Sequence, residues 1–130
     1  MIRIGGRKPQ NKYHAIQTEY RGIRYASKAE AARASELDLG VRSGHVQWWL
    51  RQVPIDIGEP GVDKPFRVDF LVCEGIWDGE RGIGHVHAED VKGVDTASFR
   101  RHVRQWQLRG PFPLHVIRHR GTEIIEGKHS

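Results

Sequence analysis

The amino-acid sequence predicts an α/β chain, more narrowly an α+β arrangement in which helices flank one mixed sheet. Three observations predict it: two segments with helical start and stop signals, four short segments rich in Val, Ile and aromatic residues, and their order along 130 residues. The order is helix, strand, strand, strand, helix, strand. Adjacent strands favour antiparallel pairing, and the crossover through the second helix allows the last strand to run parallel to a neighbour.

The first helix is predicted from its two ends. Ser27-Lys28-Ala29-Glu30 is a capping box, an Ala-rich stretch continues to about Val41, and Ser43-Gly44 is a stop signal. Steps of three and four residues define the face that we expect to point inward, which contains Glu30 or Ala31, Ala34, Leu37 and Val41.

The second helix is capped by Asp95 or Thr96 and ends before Gly110-Pro111. Its predicted apolar face consists of Phe99, Val103 and Trp106. The strands are expected at His45–Ile57 (kinked or ended at Pro54), Phe66–Val72, Ile83–Val91 and Leu114–Ile117.

Three regions are predicted along the chain. Residues 1–12 are Gly-containing and basic, which indicates a flexible arm, and residues 13–120 contain the helices and strands of a single domain. A small hairpin around Arg21-Gly22 opens this domain. Residues 121–130 are mostly polar and are interpreted as a C-terminal tail, in which Glu123–Ile125 could form a short extended segment.

Opposite charges are segregated along the chain, whose formal net charge is +5. Residues 1–28 hold seven bases and one acid, residues 53–95 hold ten acids and four bases, and residues 96–130 hold seven bases and two acids. Basic ends suit contacts to phosphates, and an acidic centre suits a bound cation. An ordinary solvated surface explains the net charge alone equally well.

The composition excludes collagenous, disulfide-rich and membrane-spanning proteins. The single Cys73 cannot form an internal disulfide, and no run of about 18 apolar residues is present. The N-terminal residues lack the apolar stretch of a secretory signal, so we expect an intracellular protein without a membrane partner.

Two carboxylates and a lysine are the strongest candidates for chemistry. Asp69 interrupts the apolar second strand, and the third strand ends Asp90-Val91-Lys92, where the period of two puts Asp90 and Lys92 on one face. Because neighbouring strands lie about 4.8 Å apart, both acids could reach one hard cation. A structural salt bridge is the alternative interpretation of the same triplet.

Histidines offer a second candidate metal set. His85 and His87 share one face of the third strand, and with Cys73 and His115 they suggest a zinc site. The spacing supplies neither a Cys pair nor a helical His pair, so zinc is the less favoured prediction.

The spacing of Asp69 and Asp90-Val91-Lys92 resembles the PD-(D/E)XK nuclease signature, and the predicted element order resembles the core of that superfamily. Upstream, Asn11-Lys12-Tyr13 and the segment 20–31 resemble a small phage-encoded endonuclease family related to archaeal-type Holliday junction resolvases. Val68 stands where the superfamily name has proline.

The resemblance implies roles for individual residues. Asp69 and Asp90 would be metal ligands and catalytic acids, and Lys92 the catalytic lysine. The backbone carbonyl of Val91 would complete the metal site, and Glu30 would be a further catalytic and metal-binding acid. The position of Glu30 three residues after Ser27 makes a helix cap an equally good interpretation.

DNA contacts are expected from the arm and the second helix. The predicted DNA-binding residues are Lys12 in the basic arm and Arg100, Arg101 and Arg104 within residues 96–122, which contain no acid. By the resemblance, Gln52 would be a further DNA-binding residue that steadies a water or a phosphate, with an ordinary strand surface as the alternative.

The sequence therefore predicts a Mg²⁺-dependent DNA endonuclease, with Mn²⁺ able to substitute, that cuts branched (Holliday junction) DNA. A homodimer would place one site on each strand, and no nucleotide cofactor is expected. The expected location is the cytoplasm, that of the bacterial host if the chain is phage-encoded. By resemblance the products would carry a 5′ phosphate and a 3′ hydroxyl. The alternatives are a nuclease of the same fold for flap, nicked or duplex DNA, and a DNA-binding protein without catalysis.

Overall fold

A computed structural model describes residues 2–4, 16–77 and 82–128 of the chain. They divide into two compact units, 1–43 and 44–130. The predicted domain 13–120 contains parts of both units. Each unit has its own sheet and its own helix.

The first unit consists of a three-stranded sheet and a helix. Its elements are β1 (Ile2–Ile4), β2 (Thr18–Tyr20), β3 (Ile23–Tyr25) and α1 (Lys28–Ser43). The strands pair antiparallel in chain order. Arg21 and Gly22 join β2 to β3 with φ of 50° and 78°, the two left-handed residues that a tight hairpin turn of this length favours. The predicted hairpin is therefore confirmed.

Helix α1 begins as the capping box predicts, since Ser27 Oγ accepts a hydrogen bond from the Glu30 backbone N–H at 3.1 Å. Glu30, Ala31, Ala34 and Leu37 are buried, but Val41 is 42% exposed. The prediction that Val41 faces inward is wrong, because the buried stripe stops one turn before the end of the helix. Residues 2–4 of the predicted arm form β1, whereas residues 5–12 lie outside the described residues.

The second unit confirms the predicted mixed sheet. Its elements are β4 (Val46–Ile55), β5 (Phe66–Trp77), β6 (Gly82–Val91), α2 (Ala97–Arg109), β7 (Leu114–Arg118) and β8 (Gly121–Ile125). The sheet has the order β4-β5-β6-β7-β8, in which β6 and β7 run parallel and the other neighbours antiparallel. The α2 crossover allows this parallel pair.

Three strand boundaries differ from the prediction. β4 continues through Pro54 to Ile55, which an edge strand of the sheet tolerates because the missing N–H is not needed there. β5 extends to Trp77. The segment 121–125, assigned to the tail, forms β8, and Ile125 belongs to the core.

The core of the second unit lies between the sheet and α2. Thr96 Oγ1 caps α2 by accepting from Phe99 N at 3.0 Å. Phe99 and Trp106 are buried and Val103 is partly buried, as the predicted apolar face requires. They pack with Ile57, just after β4, and with buried side chains of the sheet: Phe66, Val68, Ala88, Leu114, Val116 and Ile125.

Neither of the helices that the structure describes is long and apolar enough to cross a bilayer.

Candidate functional site

Strands β5 and β6 bring Asp69 next to the end of β6. The Asp69 Oδ2 atom accepts a hydrogen bond from the backbone N–H of Val91 at 2.8 Å. This bond crosses from one strand to the other and fixes the Asp69 carboxylate beside the Asp90-Val91-Lys92 segment. The predicted proximity of Asp69 to this segment is thus present in the fold.

Asp90 points to the face of the sheet that α2 covers. Its register partner on β7 is Val116, and Ala88, two residues earlier, pairs with Leu114; all three apolar residues belong to the core. Only 2% of the Asp90 surface is exposed. A carboxylate in such a place needs compensation of its charge, because burial disfavours the ionised form.

Lys92 supplies part of that compensation. Its Nζ lies 3.0 Å from Asp90 Oδ2 and 4.7 Å from the centre of the Phe99 ring on α2. Its backbone N–H donates to the carbonyl of Ile117 on β7 at 2.9 Å. The ammonium is therefore held at the end of β6 by an acid, an aromatic face and the continuing sheet.

The charge at Asp90 is not fully balanced. Burial, and next the negative charge of Asp69, raise the pKa of the Asp90 carboxyl from 3.8 to about 7, while Lys92 acts in the opposite direction. Although the ammonium is at ion-pair distance from Asp90 Oδ2, no donor in the described ranges makes a well-aligned hydrogen bond to this buried oxygen. When both acids are ionised, Asp69, Asp90 and Lys92 together carry one negative charge in excess, which favours a bound cation.

Gln52 lies opposite Asp69 in a strained backbone conformation. The β4–β5 pairs Arg51↔Phe70 and Val53↔Val68 flank it, and its own φ is 53°. A left-handed non-glycine residue costs about 1–3 kcal/mol and is maintained where the surroundings require it. The Gln52 Nε2 donates a long hydrogen bond, 3.4 Å, to Asp69 Oδ1. Both carboxylate oxygens of Asp69 are thus held from β4 and β6.

The raised pKa of Asp90 makes stability depend on pH. Because the folded state binds this proton more tightly than the unfolded state, stability falls as pH rises from about 4 to about 7. Asp90→Asn removes this dependence. We therefore expect the difference in free energy of unfolding, Asp90→Asn minus wild type, to be about 2–3 kcal/mol larger at pH 8 than at pH 5.

Urea denaturation in EDTA at the two pH values measures this difference. Asp56→Asn, at an exposed carboxylate just after β4, is the matched control and should follow the wild type. A constant difference between Asp90→Asn and the wild type at both pH values would contradict the raised pKa.

Glu30 belongs to the first unit, where it is 5% exposed. Its N–H donates to Ser27 Oγ, which confirms Ser27 as the helix cap, whereas a capping role for the Glu30 side chain stays a prediction. Its role as a metal ligand stays a prediction, as does that of the Val91 carbonyl.

The predicted DNA-binding arginines differ in their surroundings. Arg100 and Arg104 are exposed on α2, and Arg100 donates to the carbonyl of Asp95 at 3.3 Å. Arg101 is also exposed but is paired with the carboxylate of Asp63. Lys12 lies outside the described residues.

A cluster that the sequence did not predict lies on the opposite face of β6. His87, Glu89 and His115 place their ligand atoms within 4.8 Å of one another. Two of the histidines considered for zinc are included, but Glu89 takes the place of His85 and Cys73. The period of two in β6 aligns His87 with Glu89, whereas the register Glu89↔His115 arises from a parallel pairing that the sequence does not specify.

Comparison of the chain with known proteins found no matching family model, no matching curated protein and no matching solved structure. The features that bear on function are therefore the geometry of Asp69, Asp90 and Lys92 and the segments of the chain that resemble known nucleases.

Proposed function

We propose that the protein is a metal-dependent DNA endonuclease with a PD-(D/E)XK-type site, which hydrolyses phosphodiester bonds in branched DNA. The observation that carries this proposal is the grouping of Asp69, buried Asp90 and Lys92 at the end of β6. A nuclease of this type needs a cation next to an ammonium group, and these residues provide a place for both.

The residues fit a hard divalent cation. Mg²⁺ and Mn²⁺ prefer carboxylate and carbonyl oxygens. The buried Asp90 Oδ2 accepts no well-aligned hydrogen bond from the described residues, so it can coordinate such an ion. Asp69 and Asp90 would hold the ion, with the carbonyl of Val91 as the further ligand that the resemblance implies. When bound, the ion supplies stabilisation of charge on the phosphoryl oxygens and a water of lowered pKa.

The chain's own residues prepare the site. Val91 N–H and the Gln52 amide hold the two oxygens of Asp69 in place, so little reorganisation is needed on binding. The Lys92 ammonium, positioned over Phe99, can donate a hydrogen bond to a phosphate oxygen or orient the attacking water.

A purely structural ion pair explains the cluster less well. Asp90 and Lys92 would form a neutral pair by themselves, and adding Asp69 introduces repulsion that raises the pKa of Asp90. Retaining a second carboxylate beside a buried one is destabilising without a cation. The excess negative charge therefore favours a metal site over a salt bridge.

The substrate class follows from charge and from the resemblance. Residues 96–122 contain no acid, and α2 presents Arg100 and Arg104 to solvent. Basic side chains of this kind contact the phosphates of DNA. The preference for junctions, and a twofold dimer that would cut two strands symmetrically, are implied by the resemblance.

Arg104 and Arg101 should contribute unequally to DNA binding. Arg104→Ala removes an exposed charge, so we expect weaker binding and a slope of log K against log salt that is reduced by about 1. Arg101→Ala should change the slope less, because Asp63 already balances that charge. Fluorescence anisotropy with junction DNA in EDTA, over a range of salt concentrations, measures both slopes. Equal slopes for the two variants would contradict this assignment.

Cleavage assays test the proposed function. The full chain is incubated with four-way junction, flap, single-stranded and linear duplex DNA in Mg²⁺, Mn²⁺ or EDTA. We expect cleavage of the junction with either ion and none in EDTA. Binding without cleavage in any ion would establish the non-catalytic alternative. Cleavage of linear duplex at the same rate as the junction would contradict only the preference for branched DNA.

A further inference from the structure

We propose that His87, Glu89 and His115 form a second metal site, for a transition ion of the Zn²⁺ class, on the face of β6 opposite Asp90. The site is separate from the carboxylate site in position and in ligand chemistry. It does not depend on the proposed nuclease function.

The backbone brings the three residues together. His87 and Glu89 are two residues apart on β6 and so point to one face, and Glu89 is the register partner of His115 on β7. Asp90, the next residue along β6, points to the other face and pairs with Val116. The two candidate metal sites therefore lie on opposite sides of the same sheet.

The distances are close to those of a coordinated ion. His87 Nε2 lies 2.7 Å from Glu89 Oε2, and the His87 and His115 rings are stacked with centres 3.9 Å apart and planes at 16°. All three ligand atoms lie within 4.8 Å of one another. A tetrahedral Zn²⁺ with ligands at about 2.0–2.2 Å needs ligand atoms about 3.4 Å apart. An ion binds in the plane of each imidazole, so one of the two stacked rings would turn out of the stack for both nitrogens to reach the same ion.

The donor set selects the class of ion. Two imidazoles and one carboxylate are typical ligands of Zn²⁺ and related transition ions, whereas Mg²⁺ prefers oxygen ligands alone. Three protein ligands leave one coordination position for water.

Burial gives the ion a role. Glu89 is fully buried and His87 is 5% exposed, so a divalent ion here would neutralise a buried carboxylate and occupy both imidazoles. The His87–Glu89 hydrogen bond keeps the ligands together in the ion-free protein and would be exchanged for coordination. Because the ligands come from two strands, the ion would tie β6 to β7 and strengthen their parallel pairing.

Titration calorimetry of the full, tag-free chain with Zn²⁺ tests this site after removal of metals with a chelator. We expect one equivalent of Zn²⁺ per chain in the wild type. The same equivalent should remain in Asp69→Asn/Asp90→Asn, which removes the carboxylate site, and in the matched control His85→Gln, an exposed histidine on the same strand. His115→Gln should weaken binding by at least about 100-fold.

Two further measurements make the result independent of calorimetry and of folding defects. Co²⁺ in place of Zn²⁺ should give visible absorption bands that His115→Gln and Glu89→Gln lose. Circular dichroism shows which of these two variants is folded, and one folded variant is enough for the test. At a Zn²⁺ concentration of 100 Kd, the ratio of folded to unfolded wild type should rise about 100-fold.

Three results would overturn the proposal: no Zn²⁺ equivalent in the wild type, undiminished binding in folded His115→Gln or Glu89→Gln, or loss of the equivalent in Asp69→Asn/Asp90→Asn. The last would assign the ion to the carboxylate site. Failure of the cleavage assay has no bearing on any of these results, so the two proposals can fail separately.

Discussion

Lys92→Met is expected to lower the rate of Mg²⁺-dependent cleavage of junction DNA by about 10³-fold, which corresponds to about 4 kcal/mol of transition-state stabilisation. Methionine keeps an unbranched apolar stem that can lie against Phe99, but it removes the ammonium 3.0 Å from Asp90 Oδ2. The variant therefore loses the group proposed as the donor to the phosphate or the attacking water, while its packing is largely retained.

Asp69→Asn and Asp90→Asn should lower the rate at least as far, for a different reason. Each removes one charge from the cation site, so the variants should need more Mg²⁺ for half-maximal activity. Lys92→Met should keep the wild-type Mg²⁺ dependence at its reduced rate. Initial rates measured over a range of Mg²⁺ concentrations separate the two kinds of defect.

Matched controls guard against a general effect of charge. Glu74→Gln, an exposed acid on the same strand as Asp69, and Lys64→Met, an exposed lysine before β5, should cleave within about 2-fold of the wild type. DNA affinity in EDTA should change little for Lys92→Met. If all three site variants cleave as fast as these controls, the assignment of Asp69, Asp90 and Lys92 is wrong.

The proximity of Asp69, Asp90 and Lys92 could be predicted from the sequence because it depends on local rules. Side chains alternate along a strand, so Asp90 and Lys92 had to share a face once β6 was identified. An acid inside the apolar β5 marked the neighbouring position. Only the pairing of β5 with β6 had to be assumed, and adjacent strands joined by a short connection usually pair.

Other features depend on long-range geometry. The approach of His115 to Glu89 requires the parallel register of β6 and β7, which α2 and the loops around it determine. The left-handed backbone of Gln52 could not be predicted, because glutamine is not a residue type that favours this conformation. Residues 2–4 form β1, which completes the sheet of the first unit. This strand has three residues, too few to show a periodic pattern in the sequence.

Trp106→Ala is expected to lower the free energy of unfolding by about 3–5 kcal/mol, the usual range for a buried aromatic residue in a core. Trp106 is completely buried, packs edge-on against Phe66, and donates from Nε1 to the carbonyl of Phe112 at 2.7 Å. Alanine would leave a large cavity between α2 and the sheet and remove the donor from this carbonyl.

The consequence should reach the candidate site, because Trp106 and Phe99 lie on the same buried face of α2 and Phe99 supports Lys92. Urea denaturation measures the loss, and Leu108→Ala, at a side chain 62% exposed on the same helix, should stay within about 0.5 kcal/mol of the wild type. Trp106→Phe fills most of the space but lacks Nε1, so it should lose less free energy of unfolding than Trp106→Ala and more than Leu108→Ala. A loss below about 1 kcal/mol in Trp106→Ala would mean that α2 does not depend on this side chain, and that Lys92 is held by β6 and β7 alone.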